Sequence, residues 1–540
     1  MTISPSDDPE YDLAVIGAGA AGLAGAVTAA ELGLSVALLD TSSQLGGQFY
    51  RHPAPALGAT RPEALHHDWS TFTDLRRRLT DSGVTHLAGH HVWTVVRAEP
   101  KDLWDVHAVT GADGNGERPA RVRARAVLLA TGAYERQLPF PGWTLPGVVG
   151  AGGAQAMLKS GLVVPGIGVS SVRAQPRAGI GVSSVRAQPR AGIGVSPARA
   201  QPRAGGRVVV AGSGPLLLAV AASLVTAGAR VPAVVEAAGY LGYARHLRVL
   251  AANPHKMAEA AVHGTALLRH GVRLRTRSAV TQVHGADRVE AVTVSRLDRD
   301  WRPVRGSGRR IACDALAVGF GLVPQLELAT GLGCATRRTR DGSHALDLDA
   351  QQQTSVPGIW AAGETGGIGG VQLACVEGEL AGLAIAARLG GRPALTESGR
   401  ARALGRRRDR MRAFASVMAA AHAPGAGWTR WLDDTTDVCR CEEVSAGHIR
   451  EAVADYGARD ARTVKLLTRA GMGWCQGRMC GTAVACLAAE GPGAEPSPSP
   501  ERRPLAVPVR LEVLGALAEV TASGAGDPEE SADPEKGAGR

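Results

Sequence analysis

The C-terminal part of the sequence contains two closely spaced cysteine pairs. The first pair is Cys439-x-Cys441, and the second is Cys475 and Cys480, with four residues between them. Thiolates bind both zinc and iron–sulfur clusters, so four cysteines suit either a structural zinc site or a [2Fe–2S] cluster. Zinc sites usually use Cys-x2–4-Cys spacing, so the tighter Cys-x-Cys spacing favours the cluster. Cys486 lies outside this pattern.

A glycine-rich turn near the N-terminus joins a short apolar run to an alanine-rich helical stretch. Gly17, Gly19 and Gly22 form the pattern Gly-x-Gly-x-x-Gly, and a second apolar run ends at Asp40. In such a unit the glycines permit a tight turn, close approach of a pyrophosphate and close packing of helix on strand. The terminal carboxylate binds ribose hydroxyls. The stretch therefore predicts a dinucleotide site formed by these four residues.

A second strand–turn–helix–strand–acid unit begins near residue 207. It contains Gly212-x-Gly214, and its second strand ends at Glu236. Leu217 occupies the position of the third glycine, so helix and strand cannot approach as closely there. We therefore expect the fold of a nucleotide-binding domain. Gly212, Gly214 and Glu236 are its candidate ligands, and an adenine nucleotide, either NAD(H) or ATP/ADP, is the candidate occupant.

Composition narrows the class of protein. A chain of 540 residues is too long for one core, and three or four domains are expected. The net charge of +10 includes six arginines in one repetitive insert, and aromatic residues make up only 4%, so a nucleic-acid partner is not indicated. The acidic, polar N-terminus predicts a cytoplasmic protein. The apolar run 208–229 contains a Gly-Ser-Gly-Pro turn, which indicates strand, turn and buried helix rather than a membrane span.

Three segments lack the pattern of a packed domain. Residues 166–204 are three copies of a thirteen-residue repeat without apolar periodicity, which predicts a flexible insert. The arginine-rich stretch 399–420 predicts a connecting helix with a solvated face. From residue 490 onwards Pro, Ser, Gly and Glu dominate, which predicts a largely disordered tail.

The two dinucleotide units and the Gly-Ile-Trp-Ala-Ala-Gly-Glu segment at 358–364 resemble the two-domain flavoproteins of the thioredoxin and glutathione reductase type. The resemblance implies an α/β fold with two Rossmann-like domains and FAD in the first. Glu364 matches a second acid, where the family usually has Asp. The further FAD contacts that it implies are Gly46, Gly47, Gln48, Val92, Thr131, Gly132 and Gly363. Disulfide reductases of this fold carry Cys-x-x-Cys before the second glycine motif. Residues 150–155 contain no cysteine, which excludes disulfide reduction.

The sequences CRCEEV and RAGMGWCQGRMCG around the four cysteines closely resemble the bacterioferritin-associated-ferredoxin-like [2Fe–2S] domain. This implies one cluster with Cys439, Cys441, Cys475 and Cys480 as its ligands. We expect the Cys-x-Cys loop to supply both thiolates of one iron and the other two cysteines to bind the second iron. Arg440 and Arg478 are expected to offset the negative charge of the cluster.

Together with the segments 141–147 and 366–370, these features resemble the large flavin subunits of opine oxidases and hydrogen cyanide synthase, and related subunits of proline and hydroxyproline dehydrogenases. The resemblance implies an electron-transfer subunit. Its expected partner is a smaller FAD-dependent oxidase-like subunit that oxidises an amino or imino acid, and a small ferredoxin-like subunit is a second candidate. No nucleophile–base pair is visible, so no catalytic residue is assigned.

Two alternatives remain open at the level of sequence. One is a stand-alone NAD(P)H-dependent reductase that feeds the cluster from the second unit, where Glu236 would favour NADH because it repels a 2′-phosphate. The other is a docking protein that carries the cluster, a function in which the FAD site would have no role. The predicted domains are an FAD domain (10–145 and 336–395), a second dinucleotide domain (146–335), a helical connector (396–436), a cluster domain (437–489) and a tail (490–540).

Overall fold

The computed structural model describes residues 10–57, 63, 66, 68–98, 102–111, 116–161, 163–165, 206–490, 503 and 505–515. The repetitive insert 166–204 lies outside the described residues, so its expected flexibility stays a prediction. In the described part of the chain, no helix is both long enough and apolar enough to cross a bilayer.

The elements alternate between strands and helices over most of the chain. In chain order the strands are β1 (Glu10–Ile16), β2 (Val36–Asp40), β3 (Thr85–Ala88), β4 (His91–Arg97), β5 (Trp104–Thr110), β6 (Arg118–Leu129), β7 (Ala133–Glu135), β8 (Val148–Gly150), β9 (Val208–Gly212), β10 (Ala233–Glu236), β11 (Arg273–Thr276), β12 (Ser278–His284), β13 (Ala291–Arg296), β14 (Arg309–Ala312), β15 (Ala315–Gly319), β16 (Leu322–Pro324), β17 (Thr336–Arg338), β18 (His344–Leu346), β19 (Ile359–Ala361), β20 (Asp437–Cys439) and β21 (Val444–Ser445). The α-helices are α1 (Ala20–Glu31), α2 (Trp69–Asp81), α3 (Ala151–Gly161), α4 (Leu216–Thr226), α5 (Leu247–Ala251), α6 (Pro254–Arg269), α7 (Glu327–Gly331), α8 (Val371–Leu389), α9 (Gly399–Ala421), α10 (Ala446–Ala454), α11 (Ala461–Thr468) and α12 (Gly481–Ala488).

The first domain is built on a sheet in the order β3-β2-β1-β6-β5-β4, with β19 also paired to β6. Strands β1, β2, β3 and β19 run parallel to their neighbours, whereas β4, β5 and the first part of β6 form an antiparallel meander. The central strands are apolar and buried, as expected for parallel strands covered on both faces. The first glycine turn therefore lies at the carboxyl end of β1, where ligands of such sheets bind.

Helices α1 and α8 pack closely because small residues face each other. A Cβ atom added at Gly378 would lie 2.1 Å from the carbonyl oxygen of Ala21, and one at Gly382 would lie 2.7 Å from that of Gly25. A Cβ atom at Gly363 would lie 2.9 Å from Cβ of Ala21. The turn before α8 is thus held against the first turn of α1.

The second domain contains a parallel sheet in the order β11-β10-β9-β15-β8 and an antiparallel sheet β12-β13-β14. Leu217, at the position of the missing third glycine, is buried in the core of this domain with Val220 and Leu224 of α4. The run 208–229 therefore forms strand, turn and buried helix, as its sequence predicted.

The chain returns to the first domain earlier than the predicted boundary at residue 336. Leu326, Leu328 and Cys334 pack in the core of the first domain with residues of β4, β5 and β6. Two hydrogen bonds of 3.0 Å hold the chain at this crossover. The hydroxyl of Thr131 donates to the carbonyl oxygen of Gln325, and the N–H group of Gln325 donates to that of Gly132.

The cluster domain packs on the second domain through tryptophans. Nε1 of Trp143 donates to the carbonyl oxygen of Asp437 over 2.7 Å, and Nε1 of Trp431 donates to that of Trp301 over 2.8 Å. The rings of Trp301 and Trp431 are stacked with their centroids 6.1 Å apart. These residues belong to one continuous core that includes Cys439 and Cys480, so the cysteine loops are fixed relative to the second domain.

Part of the C-terminal tail packs on the first domain, which the prediction of a largely disordered tail did not anticipate. Val507 and Val513 are buried against Trp93 and Val109 on β4 and β5. The N–H group of Ala506 donates to the carbonyl oxygen of Trp93 over 3.0 Å. The apolar residues in 505–514 therefore cover an edge strand that would otherwise be open.

Candidate cofactor sites

The glycines of the first turn differ in whether the fold or a bound ligand requires a residue without a side chain. Gly17 has φ +107°, and a Cβ atom there would lie 2.4 Å from the carbonyl oxygen of Ala130. A Cβ atom at Gly22 would lie 1.8 Å from the carbonyl oxygen of Gly17. At Gly19 a Cβ atom would have no neighbour within 4 Å, and φ is −75°, which any residue can adopt. Gly17 and Gly22 are thus needed for packing, whereas Gly19 leaves open space, as a pyrophosphate requires.

The turn containing Gly46, Gly47 and Gln48 lies against this first glycine turn. The N–H group of Gly46 donates to the carbonyl oxygen of Ala18 over 2.9 Å. A Cβ atom at Gly47 would lie 2.9 Å from Cα of Gly19. Oε1 of Gln48 accepts a hydrogen bond from Arg51 over 2.9 Å. The two turns, distant in sequence, therefore border one surface.

Asp40 stands at the end of β2 beside the glycine turn. Its Oδ2 accepts from the N–H group of Ala18 over 2.6 Å, and its Oδ1 accepts from that of Ser42 over 2.7 Å. A carboxylate has about four acceptor positions, so ribose hydroxyls can still be bound. Val92 lies on β4, paired with Ala108 of β5, and its side chain is buried in the domain core; its contact with FAD stays a prediction.

Glu364 holds the turn that precedes α8. Its two oxygens accept from the N–H groups of Gly369 (2.7 Å) and Gly370 (3.0 Å). Burial disfavours the charged form and raises the pKa of Glu364, although these hydrogen bonds act in the opposite direction. In the structure the carboxylate therefore shapes the Gly363–Gly370 turn, and only its remaining lone pairs are available to a ribityl chain.

A buried ion pair behind this turn was missed in the sequence. Glu377 on α8 is 1% exposed and accepts from the N–H group of Gly363 over 3.0 Å. Arg412 on α9 binds both Glu377 oxygens over 2.7 Å and also donates to the carbonyl oxygens of Gly363 and Gly367. Burial raises the pKa of Glu377, and Arg412 acts against this shift. The prediction of a solvated arginine face was therefore wrong for Arg412, which the run of neighbouring arginines concealed.

We expect Arg412→Met to destabilise the protein by about 3–5 kcal/mol, because it leaves the Glu377 carboxylate buried without a counter-ion. Urea unfolding of the holoprotein measures the change. Arg406→Met is the matched control, because Arg406 lies on the same helix and is exposed; its effect should stay within about 0.5 kcal/mol. Equal stability of the two variants would contradict the role assigned to the pair.

The second glycine turn has the geometry of a nucleotide turn. Gly212 has φ +137°, and a Cβ atom there would lie 1.8 Å from the carbonyl oxygen of Gly319, whereas Gly214 has open space around it. Glu236 is 1% exposed and accepts from the N–H groups of Gly214 (3.0 Å) and Ala238 (2.9 Å). The three predicted residues are thus brought together.

His422, which follows α9, lies beside Glu236. Its Nδ1 is 3.5 Å from Oε1 of Glu236 and 3.2 Å from Oγ of Ser213, and its Nε2 is 2.5 Å from the hydroxyl of Tyr243. The carboxylate at this position of the fold binds ribose hydroxyls when a dinucleotide is present. In this structure an imidazole of the chain itself lies 3.5 Å from that carboxylate. Sequence reasoning missed His422 because no local pattern marks it.

The four cysteines of the cluster domain come together. Cys439 is hydrogen-bonded to Cys480 and Cys441 to Cys475, and Cys439 also interacts electrostatically with Cys441, as does Cys475 with Cys480. Cys439 and Cys480 are buried, Cys475 is half-buried and Cys441 is exposed. A Cβ atom at Gly473 would lie 2.2 Å from Cβ of Cys441, so only glycine permits this approach of the two loops.

Each hydrogen bond joins one cysteine from each loop, and which cysteines share an iron stays a prediction. Among the described residues, no three His, Cys, Asp or Glu side chains gather around a single metal-ion position. The sequence around the cysteines, rather than this geometry, distinguishes a [2Fe–2S] cluster from zinc.

The two arginines expected to offset the charge of the cluster have other partners. Arg478 donates from Nε to the buried Glu327 carboxylate over 2.8 Å, and Arg503 of the tail binds the same oxygen over 3.0 Å. The guanidinium of Arg440 lies over the ring of Trp143, 5.9 Å from its centroid. Both side chains therefore anchor the cysteine loops, and their effect on the charge of a cluster stays a prediction.

The place of a redox disulfide is taken by an acidic residue. The N–H groups of Gly152 and Gly153, at the start of α3, donate to Glu135 over 2.7 Å and 3.2 Å. All eight cysteines lie in the described part of the chain, and none of them forms a disulfide. The prediction that the chain is no disulfide reductase rests on the absence of cysteine from residues 150–155.

The fold and these sites define a two-domain flavoprotein oxidoreductase with a C-terminal [2Fe–2S] domain. Residues 11–378 match the family described as pyridine nucleotide-disulphide oxidoreductase, and residues 438–490 match the BFD-like [2Fe-2S] binding domain. The chain belongs to the pyridine nucleotide-disulphide oxidoreductase family. The predicted fold class, FAD and [2Fe–2S] cofactors and oxidoreductase class are thereby confirmed.

Individual relatives narrow the family further. The chain is 32% identical to hydrogen cyanide synthase subunit HcnB of Pseudomonas aeruginosa, over 86% of this chain and 90% of that protein. It is also 32% identical to an opine oxidase subunit of Rhizobium meliloti (strain 1021), over 89% and 92% of the two chains. The crystal structure of L-proline dehydrogenase from P. horikoshii matches 94% of this chain and 79% of that chain, with a TM-score of 0.59 at 19% identity, which shows a shared fold. The resemblance to the large subunits of such enzymes is confirmed.

Proposed function

We propose that this chain is the electron-transfer subunit of a multi-subunit dehydrogenase or oxidase that acts on an amino acid, an imino acid or an opine. The observation that carries the proposal is the presence of a flavin site and four paired thiols in one chain that has no redox disulfide. When bound, FAD supplies two-electron chemistry and the cluster supplies single-electron transfer. Related chains are named as subunits of hydrogen cyanide synthase and opine oxidase.

The residues of the chain would bind and orient the two cofactors. Gly19 leaves room for the pyrophosphate, Asp40 offers acceptors for the ribose, and the turn at Gly363 is held in place by Glu377 and Arg412. Cys439, Cys441, Cys475 and Cys480 would hold the two irons of the cluster. These roles concern positioning, and no side chain is proposed as a catalytic acid or base.

The expected partner is a smaller FAD-dependent oxidase-like subunit that oxidises the substrate, and a second candidate is a small ferredoxin-like subunit. We expect the chain alone to keep its flavin oxidised when amino acids, imino acids or opines are added anaerobically. The complex with the small oxidase-like subunit should bleach with one of these substrates. Rapid bleaching of the isolated chain would contradict a division of labour between subunits.

A cytoplasmic location also stays a prediction.

The alternative function, a stand-alone NADH-dependent reductase, has support in the Gly212–Gly214 turn and Glu236. His422 argues against it, because its ring lies 3.5 Å from the Glu236 carboxylate that would have to bind the nucleotide ribose. An adenine nucleotide in the second domain would therefore have to displace His422.

We accordingly expect NADH to reduce the bound flavin slowly or not at all. An anaerobic stopped-flow trace at the flavin absorbance band measures this rate. His422→Ala should open the space beside Glu236 and strengthen NADH binding, whereas the exposed His270→Ala serves as a control remote from this turn. Rapid bleaching of the wild-type flavin by NADH would make the reductase the better description.

A further inference from the structure

The cluster domain carries exposed apolar side chains next to its cysteines. Trp474 is 82% exposed and immediately precedes Cys475, while Met472 on the same loop is 38% exposed. Leu466 on α11 is 67% exposed. Tryptophan is rarely left in water to this extent, and exposed Trp and Met side chains are enriched in protein interfaces. The patch formed by Leu466, Met472 and Trp474 is therefore a candidate interface.

This patch borders the solvent-accessible side of the four clustered cysteines. Cys439 and Cys480 are buried in the core shared with the second domain, whereas Cys441 is exposed and Cys475 is half-buried. The loop that carries Met472 and Trp474 also contains Gly473, which packs directly against Cys441. A protein bound to this patch would thus lie beside the Cys441–Cys475 pair.

The exposed charges on α11 itself are basic, while Asp460 at its N-cap and Glu442 and Glu443 after Cys441 are acidic. Helix α11 has the sequence ARTVKLLT, in which Arg462 and Lys465 are exposed and no residue is acidic. Arg469, at the end of this helix, is also exposed and is paired with Glu442 over 2.9 Å. A second copy of the chain would bring like charges together, which disfavours self-association through this face, whereas an acidic partner would be attracted.

We propose that Leu466, Met472 and Trp474, with Arg462 and Lys465 at their rim, form a docking face for a one-electron transfer protein with an acidic surface. The inference rests on the proposed function, since it assumes that electrons enter or leave the chain at the Cys441–Cys475 side. One electron passes between the bound cluster and the metal or flavin centre of the partner. One centre is oxidised and the other reduced, and no bond is made or broken.

The test uses two protein acceptors of opposite surface charge, plastocyanin with an acidic patch and cytochrome c with a basic patch. Dithionite-reduced holoprotein, freed of excess reductant, is mixed with each acceptor at several salt concentrations, and binding of the oxidised acceptors is measured separately by surface plasmon resonance. We expect the rate constant with plastocyanin to fall as salt rises. Lys465→Glu should lower that rate constant roughly tenfold and raise the one with cytochrome c.

Trp474→Ser should weaken plastocyanin binding and slow its reduction by roughly tenfold or more, because an exposed aromatic anchor is removed. Leu268→Ser is the matched control, since Leu268 is 79% exposed on α6 of the second domain. If Trp474→Ser loses iron, Leu466→Ser on α11 tests the same face without altering the cysteine loop. If Lys465→Glu and the apolar variant (Trp474→Ser or Leu466→Ser) keep the wild-type rates, affinities and iron content, the docking face is contradicted. The proposed function is not affected by that result. Wild-type protein that contains no iron would overturn the proposed function itself.

Discussion

Cys475→Ser is expected to abolish the electron paramagnetic resonance signal of the dithionite-reduced protein while FAD remains bound. Cys475 contacts Cys441 from the facing loop, so its loss removes one of the thiolates needed by an iron. The flavin site lies in a different domain and shares no residue with the cysteine loops. Metal analysis of anaerobically purified wild type should find about two irons per chain, and the variant should lose them.

Cys486→Ser provides the matched control for this experiment. Cys486 lies in the same domain on α12 but outside the two contacting pairs, and it packs beside the core. Its replacement should leave both the signal and the iron content near wild type. Stoichiometric zinc without iron, in protein produced with adequate iron, would reduce the domain to a structural site and remove half of the electron-transfer proposal.

Gly19→Val is expected to yield folded protein without flavin. The open space at Gly19 means that a larger side chain meets no protein atom within 4 Å at its Cβ position, and the backbone there is unstrained. The added methyl groups would fill the space reserved for the pyrophosphate, so the defect should fall on FAD binding rather than on folding. Flavin absorbance per chain and the circular dichroism spectrum measure the two effects separately.

Two further glycines make this experiment interpretable. Gly264→Val, at a helical position on α6 with open space around it, should keep full flavin content. Gly22→Ala should instead impair folding, because its Cβ atom would lie 1.8 Å from the carbonyl oxygen of Gly17. Full flavin retention by Gly19→Val would refute the assignment of this turn to the pyrophosphate.

Local sequence patterns were enough to predict the first glycine turn and the ligand chemistry of the cysteines. The spacing of Gly17 and Gly22 specifies a strand–turn–helix unit, because the positive φ of Gly17 and the close backbone contacts of both residues require glycine. The two short cysteine motifs likewise identify the ligand chemistry, since thiolates bind only a few kinds of metal centre. Fold class and cofactors could therefore be predicted before any contact was known.

Tertiary structure decided how these local units are joined. Arg412 neutralises Glu377, His422 lies against Glu236, and the tail residue Arg503 reaches Glu327, although each pair is far apart in sequence. The two cysteine loops, far apart in sequence, are also brought into contact. Periodicity and propensity describe only neighbouring residues, whereas these contacts depend on which helix ends and loops the packed cores bring together. For that reason the second glycine turn could be recognised in the sequence, but the contact of His422 with Glu236 appeared only in the fold.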